Sequence, residues 1–76
     1  MNKARRNELE KIKDQISALS EELESLCNEE EEYRDNMPEN MQNSDKYEKA
    51  DAAVESLTEA LDSLDEAVEA IEASCE

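Results

Sequence analysis

The chain has no glycine, no histidine, no tryptophan and no phenylalanine among its 76 residues, and its only proline is Pro38. Without glycine there is no Gly-rich loop to cradle a phosphate, and no residue that enters a left-handed turn freely. Without histidine the commonest general base and the commonest zinc-binding nitrogen are both missing. The two cysteines, Cys27 and Cys75, lack CxxC spacing, so neither a zinc site nor a redox pair is expected and both read as reduced thiols. The D-x-D-x-D-G pattern of a calcium loop is absent. These gaps together argue that the protein is not an enzyme and has no cofactor, no metal and no catalytic residue. Basic residues are scarce too, 8 against 23 acids for a net charge of -15, which argues against direct binding to nucleic acid or to an anionic membrane. No apolar run approaches the ~20 residues of a membrane span. The basic start is followed by no hydrophobic leader, so a cytoplasmic location is expected.

What is present is period. Tyr47, Ala50, Val54, Leu57, Leu61, Leu64, Val68, Ile71 and Cys75 alternate spacings of 3 and 4 without a break, the seam of a helix packed lengthwise on another helix. Ala53, Ala60 and Ala67 recur beside that seam and widen it. A second seam runs Leu9, Ile12, Ile16, Leu19, Leu23, Leu26, Glu30 and Tyr33, with a glutamate where an apolar residue is due. The fold class is therefore all-α, with a first helix over 3–34, a turn over 35–44 and a second helix over 45–75. Asn36, Met37, Pro38, Glu39 and Asn40 supply the turn. A short helical turn from Pro38 puts Met37 and Met41 on one side, where they plug the end of the core. Ser44 or Asp45 caps the second helix, Asp45 forming a capping box with Glu48.

A short connection between two long helices makes an antiparallel hairpin. Folding the chain about Asn40 pairs Tyr33 with Tyr47, Leu26 with Val54, Leu19 with Leu61 and Ile12 with Val68, and fills each layer. The same register sets the basic start of the first helix, +5 - 2 = +3 over residues 1–13, beside the acidic end of the second. It also holds Cys27 and Cys75 far apart, so no intrachain disulfide is expected. One hairpin of this size buries little, and the alanine edge is wider than one neighbour covers. A homodimer forming a four-helix bundle is expected, with Ala53, Leu57, Ala60, Leu64 and Ala67 at the second interface.

The remaining signal is acid. Glu55, Glu59, Asp62, Glu66 and Glu69 alternate on the side of the second helix opposite its seam. A row of carboxylates keeps a greasy helix soluble, and it also suits a basic protein partner. A side-by-side dimer carries 2 × -15 = -30, over a ~45 Å rod about one charge per 1.5 Å, near the ~1.7 Å of duplex DNA. Two functions are thus open: an acidic interaction protein that occupies a nucleic-acid-binding partner's basic groove, or a coiled-coil adaptor that takes a partner helix on its apolar stripe.

The turn NMPEN, followed by S-x-x-Y-E-x-A and the Leu/Ala heptads, resembles short helical-hairpin proteins encoded by phages and mobile elements of Gram-positive bacteria. The resemblance covers mainly residues 29–72, implies the hairpin fold and carries over no functional residue. In charge alone the chain is similar to phage anti-restriction and anti-CRISPR proteins that imitate DNA.

Overall fold

The computed structural model describes residues 1–76. Asn2 opens the first helix by accepting a hydrogen bond from the Arg5 backbone N–H at 2.7 Å, which satisfies one of the donors a helix start leaves free. Helix α1 then runs Lys3–Asp35, 33 residues, a rod of about 50 Å at ~1.5 Å per residue. It stops where the sequence withdraws support. Asn36 closes the last turn by donating to the Glu32 and Arg34 carbonyls. Met37 precedes a proline and is steered out of the helical region. Pro38 is extended, with φ -59 and ψ 153, and a single 3-10 turn follows at Glu39–Met41.

Helix α2 spans Asp45–Ser74, 30 residues. Ser44 is its cap: the hydroxyl oxygen accepts from the Tyr47 N–H at 3.4 Å and its proton is donated to the Met41 carbonyl, tying turn to helix. Asp45 and Glu48 lie in the first turn, where negative charge suits the helix dipole. Met37 is buried and Met41 half-buried, so the two methionines close the turn end of the core as their spacing predicts.

The helices pack antiparallel along a body of 59 × 15 × 13 Å. Three polar contacts cross between them. Lys13 Nζ lies 3.7 Å from Glu72 Oε1, Cys27 Sγ lies 4.0 Å from Thr58 Oγ1, and an Arg34 guanidinium nitrogen lies 2.9 Å from Asp51 Oδ1. In each pair the residue numbers add to 85, so one register holds from end to end. The helix ends Asp35 and Asp45 add to 80. The excess at the contacts follows from side chains that lean toward their own N-terminus, in opposite directions on antiparallel helices.

One expectation is corrected. Ile12, Leu19, Leu26 and Tyr33 do not fill layers of the seam; they are 45, 59, 57 and 52 % exposed. Helix α1 is turned about its axis, so that Lys13, Ser20, Cys27 and Arg34 join Leu9, Ile16 and Leu23 against α2. The cause is shape. Ser20 and Cys27 are small, so α2 approaches closely on that edge, and Cys27, Ala50 and Val54 become the tightest part of the core at 4, 2 and 6 % exposure. No large side chain is fully buried anywhere in the hairpin.

Candidate functional site

Helical spacing puts Glu55, Glu59, Asp62, Glu66 and Glu69 on the outer side of α2, and all five side chains are exposed. From Glu55 to Glu69 is 14 residues, about 21 Å of helix. None of the five takes part in an ion pair; on α2 only Asp51 and Glu72 do, each with a base from α1. Residues 50–76 contain no base at all, and the bases of α2, Lys46 and Lys49, lie in its first turns, more than one turn before Glu55. Solvent alone balances it, and an approaching cation meets carboxylates without having to displace a local partner.

The structure adds acids to this row that sequence spacing did not assign. Turning α1 brings Glu21 and Glu24 beside Asp65, Glu69 and Glu72 across an open groove of about 400 Å³, completed by Ser17, Ser20 and Val68. Five carboxylates from two helices and two hydroxyls line it, with a single apolar residue. Small apolar ligands are poorly served by such walls, whereas a lysine or arginine side chain is well served. The carboxylates are strung out along the groove, and no three acidic or thiol groups converge to hold a metal ion. The signal that could have found this groove is the pair Ser17 and Ser20, small residues that lower the wall of α1 facing the acids of α2.

Cations in the hairpin occupy its two ends. Lys13 bonds Glu10 at 3.1 Å within α1 and reaches Glu72 across the seam. Its hydrogen bond to Glu10 holds the ammonium above the ordinary lysine value, the charges of Glu10, Glu72 and Asp14 adding to this and desolvation opposing it. Arg34 is likewise raised, first by its bond to Asp35 and then by Asp51, against desolvation. The other bases, Lys3, Arg5, Arg6, Lys11, Lys46 and Lys49, form no ion pair. The expected meeting of the basic start with the acidic end of α2 thus reduces to one pair, Lys13 with Glu72.

The residues assigned to a second interface, Ala53, Leu57, Ala60, Leu64 and Ala67, are half-buried, partly covered within the hairpin itself. Apart from Met1, the large apolar side chains left bare are on α1: Ile12, Leu19, Leu26 and Tyr33, one every seven residues along one line. No helix is long and apolar enough to cross a membrane. No protein-family model, no curated protein and no solved structure matches the chain.

Proposed function

We propose that the protein is a non-enzymatic acidic interaction protein that acts as a homodimer and blocks a basic, nucleic-acid-binding protein by standing in for its nucleic acid, a role suited to conflict between a phage or mobile element and its host. The observation that supports this reading is the run of unpaired carboxylates, Glu55 to Glu69 with Glu21, Glu24 and Asp65 beside them, ending at Glu72, which Lys13 reaches. Two chains carry 2 × -15 = -30. Spread along the 59 Å axis this is one charge per about 2 Å, against ~1.7 Å in duplex DNA and ~3.4 Å in one strand.

The mimic makes two demands of an experiment. Proteins retained on the immobilised chain at low salt should be released by added duplex DNA or RNA, and released steeply as salt rises, because the partner's lysines and arginines regain the contacts they make with phosphate. The triple variant Glu55→Lys, Glu59→Lys, Asp62→Lys should retain none of them. Partners that stay bound to this variant and ignore both salt and DNA refute the mimic. They support the second reading instead, an adaptor that takes a partner helix on its apolar stripe. That reading is favoured by one observation, the exposed line of Ile12, Leu19, Leu26 and Tyr33.

A further inference from the structure

The exposed line on α1 is the largest unexplained feature of the surface. At about 200 Å² per large side chain and roughly half of each exposed, its four residues leave about 400 Å² of apolar surface along one line, the size of the largest patch on an ordinary monomer, which is often functional. The whole chain is short of burial as well. Its 5829 Å² of accessible surface exceeds by about 1,100 Å² the roughly 4,700 Å² expected of a compact monomer of 8.7 kDa. One partner's share of a standard interface is about 800 Å².

We infer that a second copy of this chain covers the line, packing face to face about a two-fold axis so that α1 lies antiparallel to α1 of the partner. The inference rests on the homodimer of the preceding reading and is independent of nucleic-acid mimicry. Charge selects the antiparallel sense. A parallel pair would stack the +3 of residues 1–13 on itself and the run Glu29 to Glu32 on itself. The antiparallel pair sets Ile12 over the partner's Tyr33 and Leu19 over the partner's Leu26. The same register brings Lys13 level with the partner's Glu32 and Lys11 level with the partner's Arg34, and carries residues 1–9 past the end of the partner's α1 towards the turn that holds the partner's Glu39. Residues 32–44 hold Glu32, Asp35 and Glu39 against Arg34, -3 + 1 = -2, so the +3 segment meets charge of opposite sign.

Geometry places α2 on the same axis. The α1 line is centred between Glu22 and Leu23, and the alanine ridge Ala53, Ala60, Ala67 is centred on Ala60. Residues level with one another in the hairpin add to between 80, at the helix ends, and 85, at the side-chain contacts. The centre of the α1 line therefore stands level with residues 58–62 of α2, with Ala60 in the middle. One two-fold axis serves both lines: Ala60 meets its own copy, Ala53 meets the partner's Ala67, and every neighbouring pair of helices in the resulting bundle is antiparallel.

Disulfide cross-linking of the full chain carrying Cys27→Ser and Cys75→Ser tests this arrangement. Ala60→Cys should link to itself on mild oxidation. Ile12→Cys and Tyr33→Cys should link when mixed, while neither links alone, since each lies 21 residues from its own copy along the helix, about 31 Å. Leu19→Lys in the natural chain should halve the mass seen by light scattering while the chain stays helical. Self-linking of Ile12→Cys, no linking by any variant, or an unchanged mass for Leu19→Lys overturns the inference. A natural chain that is monomeric at sub-millimolar concentration overturns it too, and leaves the line to a partner helix.

Discussion

At the scale of single residues, position decides more than type. Cys27 and Cys75 are chemically alike, yet Cys27 is 4 % exposed against Thr58 whereas Cys75 is only half-buried at the end of α2. A thiol reagent should therefore modify Cys75 in the folded protein and reach Cys27 only on unfolding; mass spectrometry of partly labelled chains reads the order, and equal rates would contradict the packing. Ser44 and Asn2 are both helix caps, but Ser44 also binds the turn through Met41. Replacing Ser44 by alanine should cost about 1 kcal/mol in urea unfolding, and replacing Asn2 less, because Asn2 makes the cap bond alone and ties no turn to its helix. Lys13 gives a pH test. Its folded value is raised above the ordinary 10.5, so its contribution is fully present below that value and is lost as pH rises through the folded value. The stability difference between the natural chain and Lys13→Gln should be flat from about pH 6 to about 9 and shrink only at higher pH.

At the scale of the helices, the hairpin itself was legible in the sequence. The unbroken 3 and 4 spacing on α2, the isolated Pro38 and the paired methionines fix two long helices and a turn, because each is a local rule. The rotation of α1 was not legible. A seam written as Leu9, Ile12, Ile16, Leu19, Leu23, Leu26 has two apolar flanks, and spacing does not say which flank faces α2. That is decided by steric fit, by Ser20 and Cys27 allowing close approach where Ile12, Leu19 and Leu26 would hold α2 away. The acidic row on α2 was readable from period alone, but the groove that adds Glu21 and Glu24 depends on the rotation and was missed with it. Cys27→Leu tests the rotation. Beside Thr58 the larger side chain overpacks the seam and should destabilise the fold by roughly 1–3 kcal/mol, whereas on an open flank it would be harmless.

At the scale of the whole molecule, charge and burial pull in opposite directions. A net -15 on 76 residues repels itself, and only Lys13 and Arg34 bridge acids in reply. Added salt screens that repulsion while scarcely touching the apolar seam, so the melting temperature should rise with ionic strength. A fall on adding salt would mean that the end pairs outweigh the bulk repulsion. Burial is small: four residues of 76 are buried and an apolar line on α1 is bare, which is the ground for proposing a second copy. Whether a second copy supplies the missing burial is read from the state of the chain in solution. Light scattering after gel filtration should give twice 8.7 kDa for the natural chain. A mass of 8.7 kDa from a fully helical chain that melts cooperatively would contradict it.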